Sequence, residues 1–157
     1  IENMRNLSRD LSPSIIEDLK LCATLQWMLY EFEKQSDIAL SLKLTDVDDL
    51  FSSADQVIVY RIFQEALNNI RKHADARNVA VEVRKTGDQV VFQIQDDGRG
   101  FDIQENWQRH VADRGLGLAA MDERARMLGG TLLIAPQKGR GTRLTLTIPV
   151  AQAQNAR

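Results

Sequence analysis

Four short stretches of this chain carry residue types suited to chemistry. The first is Glu65-Ala66-Leu67-Asn68-Asn69-Ile70-Arg71-Lys72-His73, and the second is Asp96-Asp97-Gly98-Arg99-Gly100-Phe101. The third is Gly115-Leu116-Gly117-Leu118, and the fourth is Gly139-Arg140-Gly141-Thr142. Each alone is ordinary punctuation, because glycine pairs and acidic-glycine turns close many loops. In this order they supply oxygen ligands for a hard cation, a carboxylate for a base and bare backbone amides for phosphates. Those are the parts that a magnesium nucleotide needs.

Glu65, Asn69 and Lys72 fall at i, i+4 and i+7, so they share one helix face, with Asn68 close by. That face lies away from the Ile62, Ala66 and Ile70 stripe. Mg²⁺ takes hard oxygen ligands in an octahedron and keeps several waters. Asn69 suits direct ligation, Glu65 suits holding or polarising a water, and Lys72 suits a phosphate. Taken alone, the same face equally suits a solvated surface with an i, i+4 polar pair.

The second stretch argues more strongly. Val90, Phe92 and Ile94 share one face of a strand, and Asp96 continues their parity. Asp96 therefore points inward, where an unpaired carboxylate is costly. An adenine amino group would satisfy it, with the ring against apolar walls. Gly98 and Gly100 let the backbone bend and approach a flat ligand. The competing reading is a hairpin turn in which Asp96 accepts from its own backbone. Asp97 and Arg99 have the opposite parity and face solvent.

Gly115 to Leu118 open a helix, where exposed amides and the dipole favour an anion such as a phosphate tail. A plain loop-to-helix junction reads the same way. Thr142 shares parity with Leu144, Leu146 and Ile148, so its hydroxyl can reach the pocket; it also suits a strand as a β-branched residue. His73 and His110 read as capping or surface histidines, with no Cys/His neighbours of a zinc site. There is no Gly-x-x-x-x-Gly-Lys-Ser/Thr loop and no Gly-x-Ser-x-Gly elbow. Trp27 and Trp107 are too isolated to stack bases.

The elements that position these residues follow from periodicity. Residues 1–11 carry Met4, Leu7 and Leu11 at helical spacing, ended by Ser12-Pro13. A second helix, capped by Ser14-x-x-Glu17, buries Leu21, Leu25, Met28, Leu29 and Phe32 and runs to about Gln35. Ile38 to Leu44 alternates as a strand. Ser53-x-x-Gln56 caps a long helix that reaches about Ala74. Val79, Val81 and Val83 mark a strand, turned by Gly87-Asp88 into the next. A loop over 102–114 precedes a helix to Leu128, which Gly129-Gly130 closes. Two strands follow, joined at Gly139 to Gly141, and the tail from Ala151 is polar and frayed. Hairpins outnumber crossovers. This predicts an α/β sandwich with a mixed, mostly antiparallel sheet of about five strands and helices on one face.

Composition sets the bounds. The chain has 157 residues, 43% of them hydrophobic, enough for one domain with a real core. A net charge of −2 gives no reason to expect nucleic acid or an anionic membrane. The lone Cys22 reads as a buried apolar residue in a reducing compartment. No apolar run approaches the ~20 residues of a membrane span. The chain opens on Ile1 in what reads as mid-helix, which suggests a piece of a longer protein.

Glu65 to His73 resembles the N box of the GHKL ATPase superfamily. Asp96-x-Gly98-x-Gly100, Gly115-x-Gly117 and Gly141-Thr142 resemble its glycine boxes. Within it, Gln64-Glu65-Ala66-Leu67-x-Asn69 and Arg114-Gly115-Leu116-Gly117-Leu118 are most similar to the nitrate/nitrite-sensor and DesK-like sensor histidine kinases. The upstream Leu11-Ser12-Pro13 and Leu19-Lys20-Leu21-x-x-x-Leu25 are also similar, although Ser12 replaces a usual Arg and Lys20 a common Gly.

The resemblance implies a Bergerat ATP-binding fold, with ATP and Mg²⁺ as cofactors. It implies Asn69 as the Mg²⁺ ligand, with Glu65 nearby in a water-mediated or base role. Asp96 would read the adenine amino group, and Gly98, Gly100, Phe101 and Thr142 would shape the base site. Gly115, Leu116, Gly117 and Leu118 would line the phosphates beneath a lid over 102–114, with Lys72 and His73 toward the phosphates. Residues 1–12 would be the tail of a dimerisation helix, 13–150 the catalytic domain and 151–157 a disordered tail. The implied partners are a histidine-bearing dimerisation domain of the parent chain and a response regulator. The parent would be a membrane-associated homodimer, with this portion cytoplasmic at an inner membrane. Neither His73-Ala74 nor His110-Val111 matches the family's phosphoacceptor pattern. A conformational ATPase and an anti-sigma-type serine kinase are the alternative activities.

Overall fold

The computed structural model describes residues 12–100 and 115–150. The expectations for 1–11, for Phe101 and the lid, and for the tail lie outside the described residues.

Helix α1 spans Ser12–Lys34. It begins at Ser12, so Ser14 stands inside it rather than capping it. It also bends sharply at Lys20, where φ is 59° and ψ 175°. Beyond the bend, Leu21, Leu25 and Leu29 are fully buried. The break exposes new helix-start amides, and Asp48 meets one of them: its carboxylate accepts the Cys22 N–H at 2.8 Å. The Thr24 hydroxyl donates to the Lys20 carbonyl at 2.6 Å.

Strand β1 (Ala39–Leu44) leads through a short 3₁₀ turn (Asp48–Leu50) to helix α2 (Ser53–Asn69). The cap of α2 falls one residue earlier than the sequence suggests. Ser52 Oγ accepts the Asp55 N–H at 3.1 Å. Gln56 does not reach back to the cap; its buried amide donates to the carbonyls of Asp48 and Phe51. The helix continues as a π turn over Ile70–Ala74, ending on Asp75 in the left-handed conformation.

Strands β2 (Asn78–Thr86) and β3 (Gln89–Asp96) form a hairpin through Gly87. Helix α3 (Gly115–Met127) ends in a Schellman motif: the Gly130 N–H donates to Ala125 O and the Gly129 N–H to Arg126 O. Gly129 takes the φ of +65° that this closure requires. Strands β4 (Thr131–Gln137) and β5 (Gly141–Pro149) complete a five-stranded sheet of order β1-β2-β3-β5-β4. Only β1–β2 is parallel, because α2 forms the crossover between them.

Alternate residues of β2, β3 and β5 bury Val81, Phe92, Ile94, Leu144 and Leu146 against α2. Phe92 sits at the centre, with its ring 5.9 Å from both Phe63 and Phe51. The opposite face of the sheet is polar, with Glu82 bridging Lys43 and Arg84. Among the described residues no helix is long and apolar enough to cross a membrane.

Candidate functional site

The end of β3, the end of α2 and the start of α3 line a cleft that opens to solvent. Its apolar walls are Ala66, Ile70, Ile94, Met121, Ile134 and Leu144. Its polar groups come from Asn69, His73, Asp96 and Thr142, and Ala74, Gly100 and Leu118 complete it.

Asp96 is the one buried acid among the described residues, 3% exposed. Parity delivers it there: it stands opposite Val79 in the hairpin and two residues beyond Ile94. Burial raises its carboxyl pKa, opposed by the N–H groups of Gly98 and Thr142, while the charge of Asp97 raises it further. The Gly98 N–H lies 2.8 Å from Oδ1. Asp96 accepts from its own turn and also faces the cleft. A carboxylate offers about four acceptor positions. The backbone donors leave capacity for a donor from the cleft.

Glycine is required around it by close approach. A Cβ on Gly98 would strike the carbonyl of Ala74, and one on Gly141 the carbonyl of Asp96. A Cβ on Gly100 would strike the carbonyl of Gln137. Three segments thus meet backbone to backbone: the π turn, the loop after β3 and the β4–β5 hairpin. No side chain fits between them.

Ala66, Asn69, Ile70 and His73 line the cleft at i, i+3, i+4 and i+7, the spacing of one helical face, and the π turn carries the last of them. His73 lines the cleft, whereas Lys72 is exposed and does not.

Glu65 is half-buried beside the cleft. Its carboxylate lies so close to Gly117 that a Cβ there would collide with Oε1. This contact joins the first and third stretches. Gly115 and Leu116 open α3. Asp97 is exposed, as its parity implies, yet it holds the turn together. Oδ1 accepts the N–H groups of Arg77 and Asn78, each at 2.8 Å, and Oδ2 the Asn78 amide at 2.7 Å. The Asn78 side chain first, then these N–H groups, lower its pKa.

Periodicity places Ile70, Ala66, Ile94, Leu144 and Ile134 on helix or strand faces without marking them as cleft wall, takes Ala74 only as a helix end, and does not single out Met121. Met121 was legible as i+3 from Leu118 and Ile94 as Asp96's strand neighbour. Nothing local marks Ile134 as a wall residue.

Residues 54–152 match the model of the histidine kinase-, DNA gyrase B- and HSP90-like ATPase family. The chain belongs to this family. Membership makes this an ATP-binding domain. Among curated relatives, the oxygen sensor histidine kinase NreB of Staphylococcus carnosus (strain TM300) is 34% identical over 150 residues. That match covers 96% of this chain and 42% of NreB, so the chain spans less than half of that relative. The blue-light-activated histidine kinase EL346 of Erythrobacter litoralis superposes with a TM-score of 0.75 at 20% identity, over 98% of this chain and 51% of that one. The histidine kinase AdeS of Acinetobacter baumannii superposes with a TM-score of 0.66 at 20% identity, over 96% and 80%. At these identities the likeness is one of fold. The ATPase-family fold is therefore the α/β sandwich that the sequence pattern predicted.

Proposed function

We propose that this chain is the ATP-binding catalytic domain of a sensor histidine kinase. It would deliver the γ-phosphoryl group of ATP to a histidine on a separate dimerisation domain, for relay to a response regulator. The observation that carries the reading is a buried carboxylate, Asp96, facing an apolar cleft with unused acceptor capacity. The kinase assignment draws on the similarity to NreB. The catalytic unit would be 13–150, in the cytoplasmic portion of a membrane-associated homodimer.

Asp96 accepts from the adenine amino group, and Ile94, Met121 and Leu144 hold the ring. Thr142 and Gly100 close the base site. The α3 start, with Gly115, Leu116, Gly117 and Leu118, lies along the phosphates. The donor set fits Mg²⁺, because Asn69 lines the cleft and Glu65 stands beside it, both bearing hard oxygen atoms. Asn69 would ligate directly and Glu65 through water; bound there, Mg²⁺ would offset negative charge on the phosphoryl oxygens. In the transfer, the acceptor imidazole nitrogen bonds the γ-phosphorus, the bond to the β,γ-bridging oxygen breaks and ADP leaves. We assign Glu65 the proton that the imidazole must lose. Positioning and a water-poor apolar wall supply the rest.

The test combines this chain with a separately prepared histidine-bearing dimerisation domain of its parent and γ-labelled ATP. Acid-labile label should appear on the partner, and none on this chain alone. Asn69→Ala should remove the Mg²⁺-dependent part of ATP affinity in calorimetric titration. Phosphate release at one rate with or without the partner, and no phosphohistidine, would instead indicate a conformational ATPase.

A further inference from the structure

Glu65 stands on α2, one turn before Asn69, and Gly117 stands in the first turn of α3. A Cβ on Gly117 would collide with Oε1 of Glu65 and lie only 3.2 Å from its Cδ and 3.6 Å from its Cγ. The carboxylate thus takes the space that a side chain at position 117 would fill. It is half-buried there. Among the described residues no hydrogen bond or ion pair engages it.

The first turn of a helix leaves four N–H groups without intrahelical partners and carries the positive end of the dipole. In α3 these are the N–H groups of Gly115 to Leu118. Leu118 lines the cleft from this turn, and Asn69 lines it from α2. The turn assigned to the phosphates therefore already has an acid against it. A metal-free triphosphate would bring its negative charges up to a fixed negative charge, in a half-buried place where solvent screens the pair poorly. A dication between the carboxylate and the phosphates turns that repulsion into attraction.

We propose that Glu65 is a specificity-determining residue: its charge against the α3 turn makes the cleft select the metal-loaded nucleotide over the free one. Gly117 gives the acid room to stand there. The proposal deepens the ATP-site reading and rests on it for the ligand. The two make different demands on Glu65. Holding a metal-bound water requires only that loss of the charge weaken Mg-ATP. Selection requires in addition that loss of the charge strengthen ATP without metal.

Glu65→Gln keeps the shape of the side chain and removes the charge. The control is Asp88→Asn, which removes one charge from the exposed β2–β3 turn, at the opposite end of β3 from Asp96. Calorimetry on the full chain measures three ligands: ATP with Mg²⁺, ATP in EDTA, and adenosine, which has no phosphate. In EDTA the Glu65→Gln variant should bind ATP about 2- to 10-fold more tightly than wild type, the range for one charge at a helix terminus. With Mg²⁺ that gain should vanish or reverse. Adenosine should bind both proteins alike, and Asp88→Asn should match wild type with all three ligands. In the nucleotide-free protein, Glu65→Gln should shift the amide NMR signal of Gly117, and Asp88→Asn should leave it in place.

Unchanged or weaker binding of ATP in EDTA by Glu65→Gln overturns the proposal. So does a gain of the same size with Mg²⁺ or with adenosine, and so does an equal gain in Asp88→Asn. A Gly117 signal that ignores Glu65→Gln removes the contact on which selection depends. Failure of the ATP reading looks different: wild type would then bind none of the three ligands, and selection would fall with it.

Discussion

Replacing Lys20 by glycine should stabilise the protein. At φ 59° and ψ 175°, Lys20 occupies a region of backbone space that is essentially reserved for glycine. Leu21, Leu25 and the Cys22–Asp48 hydrogen bond fix the chain on one side of the joint. A residue with a Cβ held in such a region costs about 1–3 kcal/mol. Glycine removes that strain but returns about 0.4–1 kcal/mol through the greater freedom of the unfolded chain. The balance is a gain of about 0.5–2 kcal/mol. For a domain of this size that is a rise in Tm of about 2–6 °C. The substitution also removes the Lys20–Asp49 ion pair at 3.0 Å, which joins two exposed groups and is screened by salt. Lys20→Ala is the control, because it loses the same pair and keeps the strain. Scanning calorimetry of wild type and both variants, at low and high salt, separates the contributions. A glycine variant that melts no higher than the alanine variant would refute the argument from backbone strain.

Asp96→Asn should weaken adenine nucleotides by about 10- to 100-fold, the loss expected for a hydrogen bond to a charged acceptor. It should not lower stability at neutral pH. Burial holds the Asp96 carboxyl above its ordinary value of 3.8, so its favourable contribution is complete below that value and lost as pH rises through the folded one. Its ionised form therefore opposes folding at neutral pH; unchanged affinity with a collapsed Tm would make Asp96 purely structural. Asp97 has the opposite sign: hydrogen bonds from Asn78 depress its pKa, so its contribution is present above 3.8 and disappears as pH falls through the lower folded value. Comparing melting curves of Asp97→Asn and wild type from neutral to strongly acidic pH should show the gap closing, and a constant gap would contradict that assignment. Two of the close-packed glycines should part company. Gly117→Ala meets only the end of the flexible Glu65 side chain and gains helix propensity, so Tm should hold or rise while Glu65-dependent phosphotransfer falls. Gly141→Ala meets the Asp96 backbone at φ +87°, and a loss of more than about 1–3 kcal/mol in denaturant unfolding is expected. Equal stability of the two variants would show that the approach at Gly141 is looser than described.

The sequence by itself determined whatever depends on local period and local chemistry. Alternation along Val90, Phe92 and Ile94 fixed the inward turn of Asp96, because strand side chains change face at every residue. Glycines at 87, 129 and 139 marked the turns, and the order of the four stretches named the ligand class. Tertiary structure decided what depends on contacts between distant segments. The cap of α2 moved to Ser52, where Gln56 was drawn inward by the carbonyls of Asp48 and Phe51. The bend at Lys20 needed Asp48, 28 residues later in the chain, to receive the helix-start amide of Cys22. The path of the π turn over Ile70–Ala74 likewise involves Arg99, 26 residues beyond His73, which donates to the carbonyls of His73 and Ala74. Helical spacing assumes one angular step per residue, and only partners outside the helix can change that step.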